Sequence, residues 1–219
     1  NLLWECQLRP TLRYGTIASG SVLAPASDGS VWTVHGLGYT PALPEFNQLL
    51  VFKTSASGTG MLRNFYKSDA SATAQGILLE NNDAIFIYGS LSSATADGFL
   101  LKINGAGAVQ WARRYIGCSF YKDGGRFPNG DLLLYSTTTQ GVAFARLRSA
   151  DGSIVWIKRI TGGLNTNHYK VAADGGVFVV VHAPNAPAPG FLVKIAPDAS
   201  SVLWANRYET CTDYLTIAT

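Results

Sequence analysis

A cassette recurs along this chain every 44 to 49 residues, and that period restricts the fold more than any other feature. The copies read LLVFKTSASGTGMLRNFY, GFLLKINGAGAVQWARRY, AFARLRSADGSIVWIKRI and GFLVKIAPDASSVLWANRY. Each is an apolar run ending in Lys53, Lys102, Arg146 or Lys194, then a turn of small residues, then a second run. The second run carries Trp111, Trp156 or Trp204 in three copies; the first copy has MLRNFY instead. A period of this size made of strands predicts a radial or stacked β array.

Between cassettes lies a second hairpin: SVLAPASDGSVWTVHG, GILLENNDAIFIYG, GGRFPNGDLLLYS and YKVAADGGVFVVVH. Each pairs two short apolar runs across an Asp-Gly, Asn-Asp or Asn-Gly turn, residues that tolerate the positive φ of tight hairpins. The second run is rich in Val, Ile, Leu, Phe and Tyr, as a buried strand should be. Gly and Pro interrupt every long window, so no segment sustains a helical period. Four strands per period predict a blade, with repeats at about 11–67, 68–115, 116–160 and 161–208.

DGFLLKINGAGAVQWARRYIG followed by PNGDLLLYSTTT resembles the bacterial-type β-propeller repeat. That pattern runs Asp-x-Phe, an apolar stretch to Lys, a turn with Gly, an aromatic strand ending in Tyr, and a Gly-containing hairpin. IFIYGSLSS in the preceding repeat matches its closing strand. RSADGSIVWIKRITGG is also similar to the quinoprotein-type repeat, a pattern shared by propellers that bind no quinone. The resemblance covers nearly the whole chain and implies a fold without an activity. The expected class is therefore all-β: a β-propeller of four-stranded antiparallel blades, one domain over 1–219. Four blades are full, and the two termini form a partial fifth.

In that register residues 1–10 read as a last strand and 209–219 as a first strand. Three arrangements follow. The ends pair into a closing blade, the chain is one piece of a longer repeat protein, or the array stays open and a neighbouring molecule completes it. In the last arrangement, exposed strand edges would accept strand addition. The start at Asn1, with no signal peptide in view, is expected of a processed product or a fragment.

Charged residues make up 14 % of the 219, against a usual quarter, and Gly alone contributes 23. Low charge with many small polar residues suits an extracellular or cell-surface protein. The hydrophobic fraction of 47 % argues against disorder. A net charge of +3 is small for a nucleic-acid binder, so no nucleic-acid partner is expected. No apolar run reaches the ~20 residues of a spanning helix, so no membrane insertion is expected. Arg113, Arg114, Lys158, Arg159 and Arg207 recur at similar places and read as charges guarding strand edges.

Little of the chain suggests catalysis. His35, His168 and His182 are the only histidines, His35 and His182 fall in different blades, and no third ligand offers a shared metal site. Asp28, Asp83, Asp131, Asp151, Asp174 and Asp198 all lie in or beside turns, which accounts for them without catalysis. No phosphate loop or calcium loop occurs. No catalytic residue, cofactor or metal is therefore expected. The recurring Trp residues read as packing between blades. Trp32 is off that pattern, and with His35 and Tyr39 it forms a candidate ligand contact on a surface. Cys6, Cys118 and Cys211 match no metal pattern. If the ends meet in one blade, a Cys6–Cys211 disulfide would clasp them, and the alternative is three small buried thiols.

These readings lead to a non-enzymatic extracellular scaffold or interaction module, a subunit of an assembly or filament. It would engage protein partners or copies of itself through terminal strand edges. A carbohydrate- or peptide-binding propeller is the alternative. It would use the Pro-rich loops at 36–46 and 183–190 and a glycan partner. A quinoprotein-like enzyme fits least well, because acids are scarce outside turns.

Overall fold

The computed structural model describes residues 17–37, 48–67, 70–80, 83–92, 95–138, 141–160, 165–182 and 190–208. They form four separate four-stranded sheets, with no helix among the described residues. The first sheet holds β1 (Ile17–Pro25), β2 (Val31–Leu37), β3 (Gln48–Thr54) and β4 (Gly60–Lys67). The second holds β5 (Ser71–Leu79), β6 (Ile85–Ser92), β7 (Asp97–Ile103) and β8 (Val109–Tyr115). The third holds β9 (Cys118–Arg126), β10 (Leu132–Thr138), β11 (Gly141–Leu147) and β12 (Ile154–Ile160). The fourth holds β13 (Asn165–Val171), β14 (Val177–His182), β15 (Gly190–Ile195) and β16 (Val202–Tyr208).

In every sheet the strands lie in chain order, so each is an antiparallel meander of the kind that makes a propeller blade. The all-β class of four-stranded blades expected from the repeat is thus what the chain adopts. The segments expected to form a partial fifth blade, 1–10 and 209–219, lie outside the described residues. The chain divides into two compact units, 1–121 and 122–219.

The turns joining the first two strands of each blade share one hydrogen-bond pattern. Ala26 N–H donates to Ser30 O and Gly29 N–H to Ala26 O. The same two bonds recur as Phe127–Asp131 with Gly130–Phe127, as Ala172–Gly176 with Gly175–Ala172, and as Glu80–Ala84 with Asp83–Glu80. The fourth residue of the turn has positive φ each time: Gly29 at 76°, Gly130 at 89°, Gly175 at 82° and Asp83 at 68°. Three of these are glycine, which adopts that region without a Cβ clash. Asp83 is the exception, and its side chain explains it below.

Within each blade burial falls on the second strand and fades towards the fourth. Ile85, Phe86, Ile87 and Tyr88 of β6, and Leu132, Leu133, Leu134 and Tyr135 of β10, are buried on both sheet faces. β8, β12 and β16 are largely exposed. In the first unit one core joins blades 1 and 2: Trp32, Val34, Leu49 and Val51 pack with Ala72, Ala74, Ile85, Ile87, Leu101 and Ile103.

Close backbone approach demands glycine at Gly89 of β6. A Cβ there would lie 1.9 Å from the carbonyl oxygen of Thr73. Gly89→Ala is therefore expected to destabilise the first unit by about 1–3 kcal/mol. The measurement is a chemical denaturation midpoint set against the conservative change Gly60→Ala, where a Cβ meets nothing within 4 Å.

Candidate functional site

The cation that closes each cassette's first run sits on the third strand of its blade, and the register gives it fixed neighbours. Phe86 of β6, Lys102 of β7 and Trp111 of β8 are direct cross-strand partners. Phe178, Lys194 and Trp204 form the same row in blade 4, and Leu133, Arg146 and Trp156 in blade 3. Blade 1 carries Trp32, Lys53 and Leu62. Each cation lies over an aromatic ring: Lys53 5.3 Å from Trp32, Lys102 5.0 Å from Phe86, Arg146 4.2 Å from Phe127, and Lys194 5.3 Å from Phe178. Such contacts contribute roughly 0.5–2 kcal/mol each.

Each cation also meets a carboxylate from the first turn of its own blade. Lys53 lies 3.4 Å from Asp28, Lys102 2.9 Å from Glu80, Arg146 2.9 Å from Asp131, and Lys194 2.5 Å from Asp174. The acid comes from the first, third or fifth position of that turn, so the pairing is constant while its sequence position is not. Two cations reach further. Lys53 donates to Asp83 in the first turn of blade 2, and Arg146 Nη1 donates to Pro197 O of blade 4 at 3.1 Å. Trp32 Nε1 donates to the same Asp83 at 3.5 Å.

This explains the positive φ of Asp83. Asp tolerates the left-handed region better than most residues, and here its carboxylate ties blade 2 to Lys53. Burial works to lower the Lys53 ammonium, but hydrogen bonding and charge from Asp83 and Asp28 outweigh it and leave it raised. The Ser30 hydroxyl and N–H, helped by Lys53, hold Asp28 below its ordinary value. The stabilisation from Asp28 is thus present above the ordinary Asp pKa and lost as pH falls through its folded value. That from Lys53 is present below the ordinary Lys pKa and lost as pH rises through its folded value. Asp83→Ala is expected to cost about 2 kcal/mol. Asp83→Gly should recover about 1 kcal/mol of that by relieving the backbone. Urea midpoints of the two variants against the parent check both.

Of the three residues expected as a surface contact, Trp32, His35 and Tyr39, the two described ones, Trp32 and His35, are buried. Trp32 is 0 % exposed and belongs to the core between blades 1 and 2. It fills the ring position that Phe86 and Phe178 fill elsewhere, while Leu62 stands where the other blades have Trp. The missing Trp of the first cassette and the off-pattern Trp32 are therefore two changes within one row. Tyr39, Cys6 and Cys211 lie outside the described residues. Cys118 is buried at the start of β9. Trp111, Trp156 and Trp204 make ring contacts with Phe86, Phe127 and Phe178 of their own blades. These ring contacts lie within single blades, whereas packing between blades was expected.

His35 is also buried, at 7 % exposure, three residues from Trp32 and so facing the opposite side of β2. Its Nδ1 lies 2.7 Å from the Oγ of Ser21, and the edge of its ring meets Phe52 at 5.9 Å. Among the described residues Nε2 is buried without a hydrogen-bond partner. Burial holds its pKa below the ordinary histidine value. The folded state resists the proton, so stability is unaffected above about pH 6.5 and falls below it until the folded pKa is passed. Denaturation midpoints at about pH 7.5 and 5 should show this loss, and a folded His35→Gln variant should lose less.

Two polar positions escaped sequence reasoning. Ser21 gives no local signal. Asp97 is buried at 1 % exposure and accepts from Arg114 Nε at 2.7 Å, Gly117 N–H at 2.8 Å and Thr95 Oγ1 at 2.5 Å. It pins the link that leaves β8 for β9. Its Asp-Gly-Phe context was the signal. Among the described residues no three His, Cys, Asp or Glu side chains gather as a metal site.

No protein-family model matches the chain. No curated protein matches it either. Solved structures do resemble it. A protein of unknown function from Dyadobacter fermentans aligns with a TM-score of 0.58 and 13 % identity, covering 95 % of this chain and 69 % of that one. A protein of unknown function from Bacteroides caccae aligns at 0.55 and 13 % identity, covering 85 % and 66 %. The chain thus spans about two thirds of the length of these structures, and at this identity the likeness concerns fold alone.

Proposed function

We propose that this chain is a non-enzymatic β-propeller scaffold, extracellular or at the cell surface, that binds protein partners or copies of itself through strand edges. The observation that carries the reading is β16. It lies at the edge of its sheet and is exposed along its whole length, including Val202 at 59 %, Leu203 at 52 %, Trp204 at 38 % and Tyr208 at 38 %. β12 repeats the pattern with Ile154, Val155 and Ile157 exposed. An exposed apolar edge offers unpaired backbone groups and side-chain contacts to an incoming strand. Head-to-tail use of such an edge builds open assemblies.

The pairing of all four cassette cations inside their own blades supports a structural role for the repeat. The glycan- or peptide-binding alternative loses Trp32, the aromatic it would have used.

Sedimentation velocity over a wide concentration range tests the scaffold reading. The parent chain is expected to self-associate, and Leu203→Lys should stay monomeric with an unchanged circular dichroism spectrum. A parent chain that remains monomeric throughout would count against edge-mediated assembly.

A further inference from the structure

One polar pair stands outside the blade rows. Ser21 is exposed on β1, the edge strand opposite β4, while its partner His35 is more than nine-tenths buried on β2. The two touch through Ser21 Oγ and His35 Nδ1 at 2.7 Å. An exposed serine gains little stability from one hydrogen bond, and the buried ring keeps an unpartnered Nε2 to make it. Orphaned buried polar atoms of that kind cost roughly 1–3 kcal/mol and call for an explanation.

The backbone beside the pair is irregular. β1 pairs Ile17 with Leu37, Ser19 with Gly36 and Ser21 with His35, so it advances two residues for each one of β2. These are bulges, which occur at sheet edges and re-aim the side chains next to them. Beyond Ser21 the ladder returns to one-to-one pairing from Val22 with Val34 to Pro25 with Val31. The irregularity thus ends where the serine meets the imidazole.

We propose that Ser21 is a nucleophilic acceptor for acyl groups, with His35 as its general base. The donor class is an activated ester or thioester. Ser21 Oγ forms a bond to the acyl carbon as the bond to the alkoxide or thiolate leaving group breaks. The Oγ proton passes to His35 Nδ1 and from there to the leaving group, which returns the ring to neutrality. The product is an ester on Ser21. Burial keeps the imidazole neutral and opposes its charged form, so the proton it takes from Oγ must pass on to the leaving group. In the tautomer that carries its proton on Nε2, Nδ1 accepts from the Ser21 hydroxyl, the group that attacks, which is the geometric requirement for such a base. This adds a covalent attachment point to the scaffold and does not depend on edge assembly.

The test uses the full chain with a fluorophosphonate probe and an activated thioester, read by intact mass and peptide mapping. Modification at Ser21 is expected, absent in Ser21→Ala and at least ~10-fold slower in His35→Gln. No adduct at Ser21, or equal rates in a folded His35→Gln variant, would overturn the proposal. If His35→Gln fails to fold, thiol variants decide. Ser21→Cys should react with iodoacetamide faster than Ser200→Cys, an exposed site on the turn before β16. Equal thiol rates would sink the idea.

Discussion

A cation held between a ring and a carboxylate organises every blade of this protein. Lys53, Lys102, Arg146 and Lys194 each sit on the third strand, over an aromatic ring and within reach of an acid from the first turn. The arrangement joins three strands and a turn. The ring fixes the second strand, or in blade 3 the first turn, the cation the third strand, the Trp or its replacement the fourth, and the acid the first hairpin. An unpaired Lys53 at 5 % exposure would be costly, so the carboxylates are a condition of burying it.

The same device reaches between blades inside each unit. Lys53 serves Asp28 of its own blade and Asp83 of the next, and Arg146 serves Asp131 and the carbonyl of Pro197. Blade 2 accepts a strained residue at Asp83, where its counterparts have glycine, and gains the link to Lys53 and Trp32 in return. Polar contacts so placed work alongside the apolar core of blades 1 and 2, which carries the non-directional part of the adhesion.

What remains outside this pattern is where function is argued. β8, β12 and β16 are largely exposed because nothing in their own blade covers the outer edge. The Ser21–His35 pair lies on the face of blade 1 away from the core that holds Trp32. Edges and pair are therefore independent features, one offering a surface and the other a reactive group.

The sequence by itself determined the period, the four strands of each blade and the turns. Those follow from local rules: alternation of apolar runs, and residues that accept positive φ. It also marked the four cations, since Lys and Arg recur at one register position. Their partners were decided only by the tertiary structure, because the acid arrives from the first, third or fifth position of the turn and no fixed spacing records it. The burial of Trp32 was likewise undecidable locally. A Trp on a second strand reads alike whether its face meets solvent or another blade, and here blade 2 covers it. The Ser21–His35 contact depends on two register slips in β1, which leave no mark in a hydrophobic pattern. Local chemistry thus specified the blades, while long-range packing chose which side chains meet.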